Sequence, residues 1–217
     1  MKVLFYLTLL LGSIHLCAQT DYQQRLGQTL GQLAQAESAT DYGQCATAFA
    51  NLSTSTDASW HANYYLALSK VAESFRTEGA DERDLLVDEA QEALDAAEEA
   101  GAEEVEVTAL QARVQQARIS VDAENRTMQI GPSVLSMLFS ARAKSPNHPR
   151  ILFLLGQTVA RTPAAYGGGQ EKAFPLVQAS VTAFENWQSA DPFAPQWGAS
   201  EAAALLQQLN DTKSRKK

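Results

Sequence analysis

Apolar residues recur along most of this chain at alternating spacings of three and four, the period of a helix that buries one face. Trp60, Tyr64, Leu68, Val71 and Phe75 follow that rule, and so do Val107, Leu110, Val114, Ala117 and Val121. Proline and β-branched residues are sparse through most of the chain, while Ala, Gln, Leu and Glu are abundant, which favours helix, and no segment reads as a convincing strand. An amphipathic helix draws most of its stability from burial of its apolar stripe. Successive helices joined by short turns therefore pack as antiparallel pairs. The predicted fold is all-α, antiparallel helical hairpins stacked as a short α-solenoid, with a closed globular bundle as the other arrangement.

The first helix is predicted over residues 21–37 on Leu26, Leu30 and Leu33, and Ser38-Ala39-Thr40-Asp41 is a capping turn. A second helix reaches about Leu52. Tyr65 and Leu66 widen the stripe of the third, which Gly79 closes. Residues 82–99 form another helix, ended by Gly101, and the Val107 repeat follows. Gly131-Pro132-Ser133 interrupts, or begins, a helix carrying Val134, Leu135, Leu138 and Phe139. Pro149 suits the first position of a helix that runs to about Ala160. Residues 171–187 and 201–209 are the last two helices, separated by the irregular segment 191–198. The basic tail, 211–217, with Lys213, Arg215, Lys216 and Lys217, is predicted to be disordered.

Residues 1–18 read as a secretory signal peptide: one positive charge at Lys2, an apolar run from Val3 to Gly12, and a small-residue exit at Cys17-Ala18. The apolar run falls short of the about 20 residues that span a bilayer. Cleavage after Ala18 leaves one helical domain over 19–210, bound for the periplasm or the exterior. Loss of Lys2 leaves 16 Lys and Arg against 25 Asp and Glu, a net charge of −9, which argues against nucleic acid as partner. Cys45 is then the single cysteine, so no internal disulfide can form, and it reads as a small buried hydrophobe.

The helical pairs resemble tetratricopeptide (TPR) units. Tyr42, Cys45 and Phe49 match the aromatic, small and aromatic positions of a second TPR helix, while Leu155-Gly156 and Ala173 match the Leu-Gly pair and the small residue of another unit. The spacing from Gly156 to Ala173 is longer than the TPR pattern, and residues 82–121 keep no strict 34-residue period. A second likeness rests on Ser145-Pro146-Asn147-His148-Pro149-Arg150, Thr162-Pro163, Tyr166-Gly167-Gly168-Gly169 and Lys172-Ala173. These stretches are similar to exported TPR-like proteins of Bacteroidetes-type bacteria, and more faintly to the TPR-like periplasmic component associated with TRAP transporters. The resemblance implies a periplasmic helical protein that attends transport or envelope assembly.

Chemistry-bearing patterns are few. Gly167-Gly168-Gly169 with Lys172 lacks the preceding strand and the following Ser or Thr of a phosphate loop. His61 and His148 belong to no metal-ligand spacing, so no cofactor or metal is expected. Residues 78–106 hold 13 of the 25 acidic residues, opposed only by Arg83, which reads as a solvated face able to meet a basic partner surface. No nucleophile elbow or catalytic constellation is present, and the chain reads as a non-enzyme. Tyr65, Tyr166 and Trp187 are the candidate partner-binding residues. Tyr166 either plugs the opening of its hairpin or faces a ligand. The leading functional reading is a module binding a protein or peptide of the cell envelope; the alternative is a small-molecule carrier accessory to an envelope transporter, and a hydrolase with an unrecognised site ranks third.

Overall fold

The computed structural model describes residues 21–55 and 59–215, and the expected signal peptide lies outside them. Every regular element among the described residues is a helix. The described residues fall into two compact units, one up to Ala102 and one from Glu103 onward.

In the first unit, α1 (21–33) buries Tyr22 and Leu26. It stops short of the predicted end at 37. The Ser38–Asp41 capping box starts α2 (Ala39–Ser53): Asp41 N–H donates to the Ser38 hydroxyl at 3.1 Å, and Ser38 N–H donates back to the Asp41 carboxylate at 2.9 Å. Cys45 is buried, as its position beside Phe49 implies. The third helix, α3 (Trp60–Ser74), packs against both α2 and α4 (Ala80–Glu99). That double contact explains why 10 of its 15 residues are buried, far more than one amphipathic stripe. On α4 the carboxylates of Asp88, Asp95 and Glu99 face solvent.

The second unit contains α5 (Glu104–Val121), α6 (Ala123–Lys144), α7 (Pro149–Arg161), α8 (Gln170–Glu185) and α9 (Ala199–Arg215). Each packs on the next, and α7 also touches α5 and α9, so the hairpins stack with α7 at the centre. Accordingly, residues Pro149 to Gly156 are all buried. The α7–α8 approach depends on Gly156, where a Cβ would lie 2.5 Å from Val177 Cγ2 and 3.2 Å from Val177 N. The absence of a side chain at Gly156 thus accommodates Val177 and Leu176 of α8.

Two elements depart from the sequence reading. Pro132 neither interrupts nor begins a helix, because α6 runs through it. An interior proline removes one backbone bond and costs about 3 kcal/mol; Val134, Leu138 and Ala141, buried along the core-facing stripe, offset it. The tail also differs, since α9 continues to Arg215. Lys213 Nζ lies 5.0 Å from the centroid of the Phe174 ring, a cation–π contact that ties part of the expected disordered segment to α8.

Candidate functional site

The second unit contains both a buried charged cluster and an open groove. Glu106 on α5 and Arg150 on α7 are 2% and 0% exposed. Arg150 Nε donates to Glu106 Oε2 at 2.8 Å, and Nη2 donates to Oε1. His148, the N-cap of α7, accepts from Ile151 N–H at Nδ1, which leaves Nε2 to donate to Glu106 Oε1 at 3.1 Å. Burial opposes ionisation of Glu106, but the bonds from His148 and Arg150 override it and hold the carboxyl below its ordinary range.

Aromatic rings close over the guanidinium. Arg150 Cζ lies 5.1 Å from the Trp187 centroid, 5.7 Å from Trp197 and 6.0 Å from Phe184, and Nη1 donates to the Trp197 carbonyl at 3.4 Å. The irregular chain between α8 and α9 thus carries Trp187 and Trp197 onto Arg150. Arg113 of α5 also lies over the Trp197 ring, 5.0 Å from its centroid, and pairs with Glu201 of α9.

Between α5 and α6 lies an open groove of about 450 Å³, within the ~300–1,000 Å³ typical of ligand sites. Val105, Met137 and Ala141 supply its apolar wall. Thr108, Ser140 and Ser145 add hydroxyls, and Lys144 meets Glu104 across it at 2.6 Å. This ion pair is largely exposed, with side chains 68% and 76% accessible, so an anionic ligand can compete for Lys144 at little cost.

The three predicted binding residues are not brought together. Tyr65 is 3% exposed and stacks on Phe49 with centroids 5.5 Å apart, so its ring serves the core of the first unit and presents no face to a partner. Stripe position suggested an edge, but packing on two neighbouring helices covers it. Trp187 is half-buried against His148 and Arg150. Tyr166 is 69% exposed and plugs nothing; the loop is closed instead by backbone bonds from Gly168 N–H to Pro163 O at 3.2 Å and from Gly169 N–H to Val159 O at 2.9 Å. His61 and His148 are both buried and hydrogen-bonded, and no group of three or more metal-ligating side chains occurs among the described residues.

Glu106 and Arg150 escaped the sequence reading as a pair. A signal existed: Glu106 sits one helical turn before Leu110 on a buried stripe, where an acidic residue needs a partner.

No family model and no curated protein matches the chain. Among solved structures, the HusA haemophore from Porphyromonas gingivalis is similar, with 28% sequence identity, a TM-score of 0.79, and coverage of 88% of this chain and 94% of that one.

Proposed function

We propose that this chain binds a haem-class tetrapyrrole and carries it in the periplasm or outside the cell, without chemical turnover. The observation that carries this reading is the likeness to a haemophore over nearly the whole length of both chains. Between solute carriage and peptide scaffolding, that likeness favours the first. The α5–α6 groove supports it chemically. A tetrapyrrole is a flat, largely apolar ring with carboxylate arms, which suits the Val105–Met137–Ala141 wall and the ammonium of Lys144. Among the described residues, no helix is long and apolar enough to cross a membrane, in keeping with a carrier that works off the bilayer.

Titration with haemin, followed by Soret absorbance and by quenching of tryptophan fluorescence, tests the proposal. Saturable binding is expected, weakened at least about tenfold by Met137→Glu and less by Lys144→Glu, with melting temperatures preserved. Absence of saturable binding would refute tetrapyrrole carriage. Wild-type affinity in both variants would remove the groove as its site.

A further inference from the structure

From Thr127 to Ala141, α6 contains no charged residue, although 8 of these 15 residues are exposed. The solvent face of α4, by contrast, is crowded with carboxylates. Within this uncharged stretch Met128 is 64% exposed and Phe139 52%, while Pro132 is exposed and Leu135 half-buried. Their spacings of four, three and four place all four on one ridge. The ridge runs alongside the stripe of Val134, Leu138 and Ala141 that enters the core, on which Leu135 also packs, and it is separate from the groove face of Met137 and Lys144.

Such spacing is the seam of a two-helix coiled coil, and this seam is self-complementary. About a two-fold axis passing between Ser133 and Val134, Met128 of one copy meets Phe139 of another, and Pro132 meets Leu135. At the ends, Glu124 comes within one residue of Arg142, about 1.5 Å along the axis. Both are exposed, and neither has an ion-pair partner among the described residues. A parallel pairing would set Glu124 against Glu124 and Arg142 against Arg142, so charge selects the antiparallel one.

We propose that the outer ridge of α6 is the contact surface of a two-fold homodimer of this chain, with the two α6 helices antiparallel. One helix per copy buries less than a standard interface, so the dimer is weak and reversible. The inference is independent of the tetrapyrrole reading, because sedimentation reads it without any ligand.

Sedimentation equilibrium on the chain from Gln19 onward, between about 10 μM and about 1 mM, spans the dissociation constants of small interfaces. The weight-average mass should rise from monomer towards dimer. Met128→Glu with Phe139→Glu, both at exposed sites, should raise the dissociation constant at least about tenfold with the melting temperature unchanged. Glu124→Arg should weaken association, and adding Arg142→Glu should restore it. Register is read by spin labels on Ser136→Cys and Ala123→Cys, since Cys45 is buried and unreactive to label. At 1.5 Å per residue, antiparallel pairing sets the label sites about 7 Å apart along the axis for 136 and about 31 Å for 123. A monomer throughout, equal distances at both positions, or association indifferent to the glutamates would overturn the proposal. A monomer whose haemin affinity falls with Met128→Glu would assign the ridge to ligand instead.

Discussion

The guanidinium of Arg150 meets the carboxylate of Glu106 edge to edge, and both side chains are sealed from solvent between α5 and α7. Buried pairs of this kind contribute little net stability relative to an apolar pair, yet removal of one member strands the other charge. Glu106→Gln or Arg150→Met should each lower the unfolding free energy of the chain by about 3–5 kcal/mol. The double substitution Glu106→Leu with Arg150→Met should cost less than either single one. Urea denaturation followed by circular dichroism checks the order; equal or additive losses would mean that the two groups act separately.

The same pair makes stability depend on acid. The folded carboxyl of Glu106 lies below its ordinary value, with burial overridden by bonds from His148 and Arg150. Its contribution is therefore present above the unfolded pKa of about 4.3 and is lost as pH falls through the folded value. Asp41, held low chiefly by the Ser38 backbone N–H, and Glu104, held low by Lys144, act in the same direction from exposed positions. Denaturation midpoints taken from about pH 6 to about pH 3 should fall for the parent chain and fall less steeply for Glu106→Gln. Parallel slopes would show that Glu106 is not the group being protonated.

In the α7–α8 loop, conformation matters and the aromatic does not. Gly167 and Gly169 adopt φ of +85° and +108°, but Gly168 has a different constraint: a Cβ there would collide with the Thr162 carbonyl oxygen. Gly168→Ala should destabilise by about 1–3 kcal/mol, the usual cost of overpacking. Tyr166→Ala, at a ring that is 69% exposed, should leave the melting temperature within about 2 °C. A large drop for Tyr166→Ala would restore the ring to the architectural role that its sequence position suggested.

Much of the fold was legible because a helical stripe is a local signal: Trp60 to Phe75 and Val107 to Val121 announce their helices without reference to anything distant. Long-range pairing carries no such mark. Tyr65 looked like an edge residue because nothing nearby in sequence reveals that α2 and α4 cover both flanks of α3. The tail looked disordered by charge alone, while Lys213 is positioned by Phe174, which lies 39 residues earlier in the chain. Pro132 was ambiguous for the same reason, since only the core contacts of Val134 and Leu138 decide that the helix continues. The groove belongs to this category too, assembled from two helices whose lining residues are individually ordinary.

Trp187 separates packing from hydrogen bonding. Its ring stands edge-on to His148 with centroids 5.0 Å apart and lies beneath the Arg150 guanidinium, while its indole N–H is buried with no acceptor. Trp187→Phe keeps an aromatic face and removes an unsatisfied donor, so it should change stability by no more than about 1 kcal/mol. Trp187→Ala should cost more, about 2 kcal/mol, as the half-buried ring leaves the cluster. Equal losses would show that the indole N–H has a function that the ring contacts do not explain.

The pairing of Arg113 with Glu201 spans 88 residues of chain, joining the first helix of the second unit to its last. At about 5–20 residues per second, synthesis leaves roughly 4–18 s in which α5 exists without that carboxylate. The α5–α6 hairpin can form early, but it waits with Arg113 unpaired and Trp197 absent from both arginines. Completion of the second unit is thus tied to the arrival of α9, which leaves that unit open until its last helix has been made.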